Sequence, residues 1–450
     1  MQQVDFSQGS IRRKIMAVAM PMLVAQLLNL LYNIVDRVYI GKIPGEGTLA
    51  LASIGLCFPF VTLITAFANL FGLGGAPLCA MARGKGNREG AQRIMVNAAF
   101  MLLASGAALT VIGIAFHRPL LYLFGASDVT YPYAASYIVI YLLGTLCVMV
   151  SLGLNPYINC QGFAKTGMLT VALGAAANIV LDPIFIFALH LGVRGAAIAT
   201  VLSQFLSAAW VLRFLISRKA ELRLDFRGFR PDGHCIQRIT VLGVASFVMS
   251  FTDTLVQVAC NSMLRNFGGD LYISVMTVLN SVRQIAQTPV LAIADGASTA
   301  ISYNYGAKLY ERTRGAIRFM TQIAFGYTML VWGLVSLFPA VFIRIFNQDA
   351  ELVAAAVPAL HIYFFGFVMM AFQYSGQSTF RALGRAKYAI FFSLLRKAFI
   401  VVPLTLLLPY CWNLGVNGVF AAEPVSNLVG GLACYITMRH VVMPELKMEN

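Results

Sequence analysis

The chain has 450 residues, 59% of them hydrophobic and only 11% charged, with a mean hydropathy of +0.76. Soluble domains carry about 25% charged residues, so this balance excludes a soluble enzyme or binding module and places the chain in a bilayer. A net charge of +15 would suit a nucleic-acid partner, but the bases are distributed as a membrane-topology signal and exclude one.

Apolar stretches of roughly 20 residues recur along the chain, each long enough to cross a ~30 Å hydrocarbon core at about 1.5 Å per residue. Twelve spans are expected, near 16–40, 48–74, 94–116, 133–156, 167–190, 194–216, 240–264, 271–298, 317–340, 357–380, 388–410 and 415–438. The first is too long for a cleavable signal, carries Asn29, Asn33 and Asp36, and precedes no small-residue cleavage pattern. Of 33 Lys and Arg, 24 fall in the N-terminus, the even-numbered loops and the C-terminus; six (Arg37, Lys42, Arg118, Arg194, Arg265 and Arg344) fall on the other side. The positive-inside rule then puts both termini in the cytoplasm, which requires an even number of spans.

The longest loop, residues 218–238 with its FRGFRPDG run, is expected to be a solvated cytoplasmic linker between a six-helix lobe at 1–217 and a second at 239–450. No GxxxxGK[ST] motif occurs and no loop is large enough for a nucleotide domain, so an ion gradient must supply the energy unless a separate subunit does. Eight cysteines form no CxxC or Cys/His cluster, and no nucleophile–base pair is visible, so neither a metal or disulfide framework nor an enzyme is indicated.

The chain is internally duplicated. Leu191–Thr200 (LGVRGAAIAT) returns 223 residues later as Leu414–Glu423 (LGVNGVFAAE). Phe116, Phe124, Tyr141 and Gly144 recur at an offset of 222 as Phe338, Phe346, Tyr363 and Gly366. Repeats of six spans share one orientation, which implies a pseudo-twofold axis along the membrane normal and a substrate site between equivalent bundles.

Ionisable residues inside spans are costly and are functional hypotheses by default. In the first half, Gln26, Asn29, Asn33 and Asp36 share one face of span 1, and Asn178 and Asp182 are i, i+4 neighbours on span 5. Asp36, Asn178, Asp182 and Thr200 fall at a common depth, a candidate oxygen cage for Na⁺ or H⁺. In the second half Asp253, Arg283, Arg396 and Lys397 fall near mid-membrane, with Glu423 nearer the outer side and Asp295 nearer the cytoplasm. These are candidates for lining a substrate cavity, together with Asn33, or for a buried ion-pair network; an Arg283–Asp253 pair would make a switch.

These residues resemble the multidrug and toxic compound extrusion (MATE) transporters, in a bacterial MepA-like or DinF-like branch. The resemblance is carried by AMPMLVAQLLNLLYNIVDRVYIGK (Ala19–Lys42), NIVLDPIF (Asn178–Phe185), GAAIAT (Gly195–Thr200) and ISYNYGAK (Ile301–Lys308). It implies an all-α protein of two pseudo-symmetric six-helix lobes in the inner membrane. Its implied work is export of amphipathic, often cationic drugs by Na⁺ or H⁺ antiport with alternating access; no cofactor and a monomeric state are expected. It also implies a first-lobe cation site of Asp36, Asn178, Asp182 and Thr200. Asp253 matches an acid that one branch carries on span 7, but that branch's acid on span 10 is missing, where the span offers His361, Gln373 and Gln377. The superfamily's flippases for lipid-linked precursors share the architecture and are the alternative, as is an exporter of one zwitterionic or anionic metabolite.

Overall fold

The computed structural model describes residues 3–44, 47–124, 126–346 and 348–448, and among them the chain is helical from end to end, without a strand. It divides into two compact units: Met1–Asp5 with Met20–Gly243, and Phe6–Ala19 with Val244–Asn450. The change of unit thus falls inside the first helix of each repeat.

The first repeat runs α1 (Ile11–Gly41), α2 (Gly47–Gly55), α3 (Phe58–Gly84), α4 (Arg88–Leu123), α5 (Tyr131–Leu143), α6 (Thr145–Cys160), α7 (Ala164–Pro183) and α8 (Gly192–Ile216). The second runs α9 (Gly233–Gly306), α10 (Tyr310–Leu337), α11 (Pro339–Arg344), α12 (Ala350–Phe364), α13 (Met370–Ala382), α14 (Ala386–Leu394), α15 (Val402–Leu407) and α16 (Val416–Met448). Among the described residues nine helices are long and apolar enough to cross a membrane, and two bent pairs, α5 with α6 and α12 with α13, bring this to 11. The remaining expected span, the eighth (271–298), is the second arm of α9 beyond a break at Gly269. It is fully helical, but Asn280, Arg283, Gln284 and Gln287 dilute its apolar character.

The duplication is visible in the backbone. The bent pairs break at Gly144 and at Gly366, with angles of 56° and 41°. A Cβ on Gly144 would come within 2.7 Å of the Val201 side chain, and one on Gly366 within 2.7 Å of the Pro424 backbone, at the equivalent position. Left-handed residues repeat as well: His190 and Gly192 (both φ 53°) are matched 223 residues on by Asn413 (52°) and Gly415 (51°). These close tight turns between the last two spans of each repeat, a conformation in which glycine carries no Cβ penalty.

Those turns let the last helix lie directly against the one before it. A Cβ on Gly195 would sit 2.5 Å from the Phe185 carbonyl oxygen, and one on Gly418 2.6 Å from the Leu408 carbonyl carbon. This is the physical content of the repeated Leu-Gly-Val-x-Gly. Gly195→Ala and Gly418→Ala should each cost about 1–3 kcal/mol, because backbone rather than a pliable side chain must move. Gly333→Ala, with nothing within 4 Å of its Cβ, should be neutral or stabilising. Thermal unfolding of the three purified variants checks the contrast; equal midpoints would refute it.

The linker is not solvated throughout. Ala220 and Leu222 are buried, and the Leu222 amide donates to Gln161 Oε1 at 2.8 Å. Glu221 pairs with Arg83, and the Asp232 amide donates to Asn97 Oδ1 at 2.9 Å. The alternation that buries Ala220 and Leu222 while exposing Arg218, Lys219 and Arg223 is masked in sequence by the density of arginine.

Candidate functional site

In the first unit α7 ends on Asp182-Pro183, and a π-helical turn, Ile184–Ala188, comes directly after the proline. Proline gives up an amide donor, which frees the ladder to widen where the carboxylate sits. Asn178 Nδ2 donates to Asp182 Oδ1 at 3.1 Å, and both residues are buried. Asp36, from α1, faces Asp182 closely enough to interact with it directly. Three oxygen atoms around this pair, Asp36 Oδ1, Asn178 Oδ1 and Asp182 Oδ2, are buried and accept no hydrogen bond among the described residues. Buried acceptors are normally satisfied. A set of oxygens left open together fits a hard cation or a proton shared between carboxylates.

The remaining expected members are placed differently. Thr200, on α8, is half-buried and makes no side-chain hydrogen bond among the described residues. Asn33 is exposed and donates to the Asn29 carbonyl of its own helix at 2.6 Å. The nearest base is Arg37, adjacent to Asp36 in sequence, whose guanidinium lies 5.0 Å over the Phe58 ring and forms no ion pair among the described residues. Sequence reading missed the tyrosines: Tyr32 and Tyr137 lie within electrostatic reach of Asp36, and Tyr137 stacks on Tyr141 with centroids 6.1 Å apart. Three tyrosines on apolar helices give no signal that separates them from core aromatics.

In the second unit a cavity of about 480 Å³ collects Asp253, Arg283, Arg396, Lys397 and Glu423. Arg396 and Lys397 come from a π-helical turn, Leu395–Val401, between α14 and α15. Glu423, from α16, is the hub. Its Oε1 lies 2.6 Å from Arg283, 3.0 Å from Arg396 and 3.9 Å from Lys397. Lys397 also meets Asp253 at 2.7 Å. The expected Arg283–Asp253 pair is therefore replaced: Arg283 pairs with Glu423, and Asp253 with Lys397. Glu423 meets the bases directly, because long side chains span the offset that counting residues from the helix ends produces. Asp295 is separate, 3.9 Å from Arg381.

A hydrogen-bonded row extends from this hub. Arg283 Nη1 donates to the Tyr363 hydroxyl at 2.7 Å, which donates to Asn280 Oδ1 at 2.9 Å; Asn280 in turn donates to Gln257 Oε1 at 3.1 Å. Tyr363 is the repeat partner of Tyr141, and Glu423 of Thr200. One repeat gathers oxygens and the other gathers charge pairs from equivalent helices.

The MatE family model matches residues 21–184 and again residues 245–407, two stretches displaced by about half the chain. The chain belongs to the MatE family. Curated MatE relatives include the multidrug export protein MepA of Staphylococcus aureus (strain MSSA476), 21% identical over 96% of this chain and 95% of that protein. A protein of Shewanella oneidensis named FAD transporter is 23% identical over 96% of each chain. Among solved structures, a transporter of the MOP superfamily from Pyrococcus furiosus superposes with a TM-score of 0.92 at 24% identity, over 99% of both chains. Its description states that the reverse polarity of its binding pocket suggests a different function. The double match of one family model is the duplication read from LGVRGAAIAT and LGVNGVFAAE, and the superposition extends the MatE fold over the whole chain.

Proposed function

We propose that this protein is a secondary exporter of small organic molecules that works as a monomer in a bacterial plasma membrane, with both termini cytoplasmic. The inward flow of Na⁺ or H⁺ drives it. The observation that carries this reading is the division of labour between units: an oxygen-only site at Asp36, Asn178 and Asp182, and a cavity with fixed charges around Glu423. A likeness to proteins named multidrug export protein supports organic compounds as cargo. The bias of 24 bases against six supports the orientation.

The acidic pair binds the coupling ion directly and needs no cofactor. Ion entry changes the balance between states by the ion's difference in affinity for them and by no more. In proteoliposomes, either an inward Na⁺ gradient or an inward H⁺ gradient is expected to accelerate export of a loaded dye severalfold over the rate without a gradient. Rates indifferent to both gradients would overturn antiport.

A further inference from the structure

We propose that the cavity of the second unit binds organic anions: small molecules with a carboxylate or phosphate that docks on Lys397 and Arg283 and displaces the carboxylate of Asp253. The proposal rests on the reading of the chain as an exporter of small organic molecules, and it names the cargo.

The cavity holds three bases and two acids, an excess of one positive charge. Arg396, Lys397 and Glu423 are 3–5% exposed, so water does little to offset that excess. Burying unmatched charge is expensive, and an incoming anion relieves it. All three bases lean on a single atom, Glu423 Oε1. One carboxylate oxygen cannot fully satisfy two guanidinium groups and an ammonium, and Arg283 Nε is buried without a hydrogen-bond partner among the described residues. The site therefore offers donors beyond those its own acids use.

Asp253 has the properties of a placeholder. Its side chain is 48% exposed, while the Lys397 it contacts is 6% exposed. Of the two acids it is the one that can leave, because water re-solvates it and Glu423 has no such outlet. A ligand carboxylate or phosphate that took its place would gain a charge-assisted contact to Lys397. The walls suit a body with polar and apolar parts behind that group: Gln257, Asn280 and Gln287 line the cavity alongside Met249, Val256 and Met276. A volume of about 480 Å³ lies within the range of small-molecule sites. A lipophilic cation would meet a net positive charge.

The test is equilibrium binding to the purified protein in nanodiscs of neutral lipid, without any ion gradient. Matched pairs differ only in the anionic group: riboflavin 5′-phosphate with riboflavin, AMP with adenosine, benzoate with benzamide. Ethidium serves as the cation and a short-chain phosphatidate as the lipid arm. At least one anion is expected to bind saturably and at least tenfold more tightly than its neutral partner. Asp253→Asn is expected to tighten that anion severalfold without altering the neutral compound, and Lys397→Gln to weaken it. Absence of saturable anion binding, equal affinity within every pair, tighter binding of ethidium, binding of phosphatidate alone, or weaker anion binding in Asp253→Asn would each overturn the proposal. Failure of the export reading looks different: gradient-independent dye release with anion binding intact.

Discussion

Replacing Asp36 by Asn is expected to abolish gradient-driven export while leaving folded protein in the membrane. The substitution keeps the shape and removes one of the two carboxylates that face each other. It also brings an amide donor to a place where Asn178 Oδ1 and Asp182 Oδ2 lack one, so the fold loses no hydrogen bond. The ion loses a unit charge at contact distance, about 4 kcal/mol at about 4 Å and an effective dielectric near 20. That is about a thousandfold in ion affinity, enough to uncouple the ion from the conformational equilibrium. Thr200→Val removes only a neutral ligand without a hydrogen bond of its own, and its effect should stay within about tenfold. Ion-driven efflux from proteoliposomes, with thermal unfolding as a check of folding, separates the two. Full efflux in Asp36→Asn would remove the acidic pair from the coupling step.

Asp36, Asn178 and Asp182 were legible in sequence because each side chain is short and sits close to where helical spacing puts its Cα. The i, i+4 relation of Asn178 and Asp182 is a hydrogen bond in the structure. The repeat was legible too, since equal offsets survive in Gly144 and Gly366 at matching helix breaks. The charge network of the second unit was not, because long side chains choose partners across elements. Arg283 sits on the second arm of α9, Arg396 and Lys397 on a π-helical turn, and Glu423 on α16; no periodicity in one segment reports which of these meet. A π-helical turn inserts a residue into the helical count and rotates every later residue about the helix axis, so 3.6-residue spacing does not report the faces of this segment. The docked part of the linker escapes notice for a different reason: two apolar residues, Ala220 and Leu222, are outweighed by the charge around them.

Glu423→Gln should be the most damaging single substitution in the second unit. The native hub holds three bases with one buried carboxylate, and Asp253, half in solvent, answers only Lys397. With an amide at 423, Arg283 and Arg396 keep Tyr363 and Asn427 as neutral partners but lose the one anion they pair with among the described residues. Removing one partner of a buried ion network costs about 3–5 kcal/mol, since the remaining charges stay buried without compensation. Against a typical stability of about 5–15 kcal/mol, that is enough to cut the yield of folded protein and lower the unfolding midpoint by many degrees. The effect is electrostatic, so it is reversible by charge balance: Arg396→Met added to Glu423→Gln brings the excess back to one and fills the space with a flexible apolar chain. The double variant should recover a substantial part of the lost midpoint, although two side chains have changed instead of one. Thermal unfolding of the native protein, both single variants and the double variant forms a complete cycle. Additive losses would show that Glu423 and Arg396 act independently, and an unperturbed Glu423→Gln would show that the bases are balanced by something other than the carboxylate they surround.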